Sequence, residues 1–207
     1  MKVERVLGVL FFGGVWGLSE AVLGDTLYSA NVPYASVPLT VIGFVVMTLA
    51  SVYFPQRGTV TLIAACAMLY KFFNEPFFAC HLLGIFMTGV CYDLFFRVLS
   101  VKSRSLAAAA ATYMSYALFA LMITYVGRYE HWVQGGISAV VRHIVISGSM
   151  AALGAAALVP LSFRLGEKLR ARFATPFALR QHVALGGVSA VTLGLWAFCL
   201  TMYALSA

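Results

Sequence analysis

Seven apolar runs, approximately residues 6–24, 37–54, 58–73, 77–97, 105–127, 136–164 and 183–204, occupy most of this sequence. About 17 to 25 apolar residues cross roughly 30 Å of hydrocarbon as a helix that rises about 1.5 Å per residue. A backbone in lipid must satisfy its own hydrogen bonds, which leaves helices or closed barrels, and barrel strands would alternate rather than run unbroken. The runs therefore predict an all-α polytopic membrane helical bundle of about seven transmembrane helices. With 62% hydrophobic and 10% charged residues and a mean hydropathy of +0.92, the chain has too few polar side chains to cover a water-soluble globule. The third run is short, and the sixth is long enough to leave the bilayer as an amphipathic extension.

Charge placement predicts the orientation. With a cytoplasmic N-terminus, Lys2, Arg5, Arg57, Arg97, Lys102, Arg104, Arg164, Lys168, Arg170, Arg172 and Arg180 lie inside, and only Lys71, Arg128 and Arg142 lie outside. The positive-inside rule favours that arrangement, a multi-pass protein of the cytoplasmic (inner) membrane with its C-terminus outside. The net charge of +7 then sits in short loops beside anionic headgroups, so membrane lipid is the implied partner and no nucleic acid is. Residues 165–182 form a basic, amphipathic cytoplasmic connection, which could alternatively dock a cytoplasmic partner. Residues 1–207 read as a single integral membrane domain. Lys2 and Arg5 ahead of an apolar stretch resemble a signal peptide, but Glu20 interrupts it and no small-x-small site follows, so it reads as a retained first span. Cys66, Cys80, Cys91 and Cys199 fall within spans without a CxxC pair, the pattern of small apolar packing residues.

Ionisable groups inside the runs carry the functional signal, because charge at membrane depth costs several kcal/mol unless paired or hydrated. Glu20, Lys71, His81, Arg142 and His143 all fall in the outer half of their spans. Asp25, Asn74, Glu75, Glu130, His131 and Trp132 lie in the adjoining outer connections. Together they predict an outward-facing polar pocket, with Glu20, Lys71, Asn74, Glu75, His81, Trp132, Arg142 and His143 as its substrate-binding candidates. Lys71 and Arg142 would hold an anion, Trp132, Tyr34 or Tyr129 would stack on an organic solute, and His81, His143 and Glu20, with Glu75, are candidate metal ligands. Glu20 could equally pair with Arg142 or Lys71 to stabilise the bundle, and Asp93 with Arg97 reads as a structural i,i+4 pair. The cofactor is left open, since paired His81 and His143 would also suit a haem.

Gly13, Gly17 and Ala21 recur every four residues on the first span, a stripe that lets another helix approach closely. It is the candidate face for docking a partner. No HExxH, GxSxG or Walker glycine loop is present, and the remaining enzyme reading is a site built on Cys80, His81, Arg142 and His143.

Pro38 opens a span that ends at Pro55-Gln56-Arg57-Gly58, Gly84-Ile85-Phe86-Met87-Thr88-Gly89-Val90-Cys91-Tyr92-Asp93-Leu94 follows, and a basic helix runs from Arg142 to Arg172. In these features about the first 172 residues resemble the substrate-binding S components of energy-coupling factor vitamin transporters. The resemblance implies a compact bundle, commonly of six spans, with an outward pocket capped by the first long loop, here 25–36. It also implies a docking stripe at Gly13, Gly17 and Ala21 for a membrane coupling subunit. The seventh span departs from that pattern. The sequence thus points to a small-molecule solute captured from the outer face for a multi-subunit importer. The alternatives are a membrane enzyme, or a structural or haem-bearing subunit of a larger membrane complex.

Overall fold

A computed structural model describes residues 3–73, 79–173, 187, 189–198 and 201. Among them there is no strand. The helices are α1 (Val3–Ser29), α2 (Ser36–Tyr53), α3 (Thr59–Leu69), α4 (Ala79–Asp93), α5 (Arg104–Leu121), α6 (Glu130–Arg142) and α7 (Gly148–Phe173), with an apolar α8 at Ser189–Phe198. A 3₁₀ turn, Tyr70–Phe73, extends α3, and single π-helical turns extend α4 (Leu94–Val98), α5 (Met122–Val126) and α6 (His143–Ser147).

Among the described residues, five helical stretches are long and apolar enough to cross a membrane: Val3–Ser29, Ser36–Tyr53, Cys80–Val98, Arg104–Val126 and Glu130–Arg172. Among the described residues, the other two runs contribute the shorter apolar helices Thr59–Phe72 and Ser189–Phe198. At about 1.5 Å per residue, the described part of each is shorter than 30 Å. The basic stretch after residue 164 continues α7 as helix to Phe173.

Helices α1, α3, α4, α5, α7 and α2 contact one another in that cyclic order, closing a ring. The core fills its α1–α4 side with Trp16, Phe44, Met47, Val60, Ile63 and Tyr92, all buried. Glycines set the approach: a Cβ on Gly43 would lie 2.7 Å from the Trp16 ring, so α1 and α2 meet as closely as they do only without one. Gly13 and Gly17 do the same for α1 and α3. A Cβ on Gly13 would come within 2.6 Å of the Cys66 Cβ, and one on Gly17 would enter the Tyr70 ring and stand 2.9 Å from the Ala67 carbonyl oxygen. At Gly13 and Gly17, the stripe assigned by spacing to an outside partner is therefore filled by this chain's own α3 and the turn that extends it.

Two other expectations change. Residues 25–29 belong to α1, where the Thr26 hydroxyl donates to the Val22 carbonyl at 2.8 Å, so the capping loop shrinks to the turn from Ala30 to Ala35. That turn passes through the left-handed region at Asn31 (φ 52°) and Tyr34 (φ 58°). Asp93 and Arg97 do not pair. Asp93 Oδ2 instead accepts from the backbone N–H and hydroxyl of Thr61, both at 2.8 Å, and so supplies an acceptor to the first turn of α3, whose positive dipole end favours a carboxylate. Arg97 donates to the Ser51 carbonyl at 2.7 Å, on the last turn of α2.

The contacts divide the charges between two ends of the bundle. Arg5 meets Arg57, Arg97 and Arg170 meet the end of α2, and Arg104 pairs with Glu167 at 2.8 Å. Glu20, Lys71, Tyr28 and His81 gather at the opposite end, where α1 finishes and α4 begins.

Candidate functional site

On α1, residues 16, 20 and 24 fall one helical turn apart and share a face. Trp16, buried, donates its indole N–H to Glu20 Oε1 at 3.3 Å. Gly24 completes the face by absence: a Cβ there would lie 2.9 Å from Lys71 Nζ. Lys71 enters from the 3₁₀ turn that tightens the end of α3, and its ammonium donates to the Glu20 backbone carbonyl at 2.6 Å. The same nitrogen lies 3.9 Å from Glu20 Oε2. Glu20 and Lys71 are only 7% and 4% exposed, so each charge depends on the other.

Two histidines are each stacked on a tyrosine. His81, in the first turn of α4, stacks on Tyr28 of α1 with centroids 4.8 Å apart and planes at 21°, within electrostatic reach of Lys71. His143 stacks on Tyr116 of α5 at 4.9 Å and 25°, and Phe119 and Trp132 close the box at 5.5 and 5.0 Å. Tyr116 shares a hydrogen bond with Thr40 at 3.2 Å and donates to Ser36 at 3.5 Å, both on α2. Tyr28 and Tyr116 lie within electrostatic reach of one another and of Glu20. The polar end thus collects two clusters: Trp16, Glu20, Lys71, Tyr28 and His81 from α1, the turn after α3 and α4, and Ser36, Thr40, Tyr116, Phe119, Trp132 and His143 from α2, α5 and the α6 end.

Of the residues singled out by sequence, Glu20, Lys71, His81, His143 and Trp132 enter these clusters. Asn74 and Glu75 lie outside the described residues. Arg142 is exposed, and among the described residues it makes no ion pair. Trp16, Gly24, Tyr28, Ser36, Thr40 and Tyr116 were not anticipated. Trp16 alone had a readable signal, a hydrogen-bond donor one turn before a membrane carboxylate.

No protein-family model matches this chain, and neither does any curated protein or solved structure. The chemistry must be read from the clusters themselves. Among the described residues, no three His, Cys, Asp or Glu side chains come together as a metal site, so His81, His143 and Glu20 do not form a ready-made ligand set. Cys80 is buried and its thiol is free, a placement that hinders attack on a substrate arriving from water. An open depression lined by Tyr129, Glu130, His131 and Gln134 lies at the start of α6, where Trp132 also sits.

Proposed function

We propose that this chain is a seven-span inner-membrane protein, with its N-terminus in the cytoplasm and its C-terminus outside. It binds a small solute at its polar end, as the capture subunit of a multi-subunit importer of the kind formed by energy-coupling factor S components. The orientation rests on the gathering of arginines at the end opposite Glu20 and Lys71. The observation that carries the binding reading is the buried Lys71–Glu20 contact at the end of the bundle where His81 stacks on Tyr28, with a second histidine–tyrosine stack, His143 on Tyr116, on neighbouring helices. An ammonium, a carboxylate, two imidazoles and several ring faces on separate helices suit a compact solute that has both a charged group and a flat part. A membrane enzyme using Cys80 finds less support, because that thiol is buried. Since α3 packs on Gly13 and Gly17, the coupling subunit docks on another face.

Native mass spectrometry of the protein in detergent identifies the co-purifying mass, and titration calorimetry with that compound measures affinity. Glu20→Gln and His81→Ala should each weaken binding by about 1–3 kcal/mol, roughly five- to 150-fold, the cost of leaving a buried polar partner unmatched. Unchanged affinity in both folded variants refutes the site.

A further inference from the structure

Three guanidinium groups donate to the carbonyls of one turn at the end remote from Glu20, and a fourth arginine, Arg57, lies in the turn. Arg5 of α1 donates to the Arg57 carbonyl at 3.3 Å, Arg97 to the Ser51 carbonyl at 2.7 Å, and Arg170 of α7 to the Val52 carbonyl at 2.9 Å. Arg57 lies in the turn itself and is exposed. The carbonyls at the end of α2 account for part of this, since a helix C-terminus carries about half a negative charge. They do not account for four full positive charges. Each observed bond uses one of the five N–H donors a guanidinium offers.

Two of the carboxylates at this end are engaged elsewhere: Asp93 Oδ2 with Thr61 and Glu167 with Arg104. Among the described residues none of the four arginines makes an ion pair. Like charges gathered around one turn repel, and an anion seated among them removes that cost.

We propose that this turn, Ser51 to Arg57 with Arg5, Arg97 and Arg170, is a binding site for the phosphate of an anionic glycerophospholipid. The choice of lipid over a free anion or an acidic protein comes from what lies beside the charges. Phe12 packs edge-on against Phe11 at 5.2 Å, and its ring lies 6.4 Å from both Tyr53 and Phe54. All four rings are only partly buried. Half-buried aromatics directly beneath a basic cap match the boundary between headgroup and acyl chain, where phosphate and hydrocarbon must be met together.

The test uses the full chain in a neutral detergent, titrated with phosphatidylglycerol or phosphatidylcholine while thermal unfolding and lipid adducts in native mass spectra are followed. Saturable stabilisation by phosphatidylglycerol is expected, with phosphatidylcholine giving none. The Arg5→Gln/Arg170→Gln double variant changes only outward-lying bonds and should bind phosphatidylglycerol at least tenfold more weakly. Arg164→Gln/Lys168→Gln, which removes two exposed charges of the same helix end, should bind it as the parent does. An equal loss in both double variants would mean diffuse attraction and overturn the site. Equal stabilisation by phosphatidylcholine, or by inorganic phosphate at matched concentration, would overturn the lipid assignment.

Discussion

Replacing Lys71 by methionine keeps most of the side-chain volume and removes the ammonium from the most buried charged contact in the described bundle. Two losses follow. The hydrogen bond to the Glu20 carbonyl, 2.6 Å long, is charge-assisted and contributes about 1.5–3 kcal/mol. Glu20, 7% exposed, is then left with only the Trp16 N–H, and a buried pair broken from one side costs about 3–5 kcal/mol in all. Glu20→Gln is milder, because the amide oxygen can still accept from Trp16 and Lys71 keeps its backbone carbonyl; about 1–3 kcal/mol is expected. The double variant removes both charges, so its cost should fall short of the sum by at least about 1 kcal/mol. Reversible unfolding in mixed SDS and detergent micelles, followed by circular dichroism, measures all three. Effects that add within about 0.5 kcal/mol would show that Glu20 and Lys71 are energetically independent, and the reasoning would fail.

Gly17→Leu should destabilise the fold itself by at least about 1–3 kcal/mol, since the new side chain meets Tyr70 and the α3 backbone; a variant as stable as the parent that merely lost a partner would restore the stripe as a docking face. Asp93→Ala should cost about 1–3 kcal/mol by uncapping α3, and the cost should be the same in an Arg97→Ala background; a strong dependence on Arg97 would mean that the two do pair. Maleimide added from outside should label a cysteine placed at Asn31 and leave one at Gln56 untouched, while Ala207 should label from outside and Ala174 should not. Labelling of Gln56 and Asn31 from the same side would dismiss the proposed orientation.

The bundle was legible because its determinants are local: an apolar run needs no knowledge of its neighbours to be a helix, and lysine and arginine mark an end of it directly. The site was legible only where an ionisable group stood out in apolar sequence, as Glu20, Lys71, His81 and His143 do. Tyr28 and Tyr116 were hidden, since a tyrosine in a span is ordinary and only its stacking partner gives it meaning. Depth also cannot choose between Arg142 and His143, which point about 100° apart on a helix; packing against Tyr116 and Trp132 turns the imidazole inward and leaves the guanidinium exposed. Spacing at Gly13, Gly17 and Ala21 announced a close approach without naming the helix that makes it. The four-residue interval between Asp93 and Arg97 suggested a pair, yet the unsatisfied N–H groups opening α3 and the carbonyls closing α2 were stronger claims on each.

The cyclic order of the ring sets a schedule for its assembly. Helix α2 is the second to leave the ribosome, but one flank of it is covered by α7, the last member of the ring to be made. Residues 54–147 separate Tyr53 from Gly148, which at about 5–20 residues per second is on the order of 5–20 s of synthesis. During that interval α2 has α1 but not α7, and the carbonyl of Val52 has no Arg170 to receive. A nascent chain stalled before residue 148 should therefore expose α2 to lipid or to an insertion chaperone, and crosslinking from Val41, which packs on Gly154 in the finished bundle, would move from that surrogate to α7 as translation resumes.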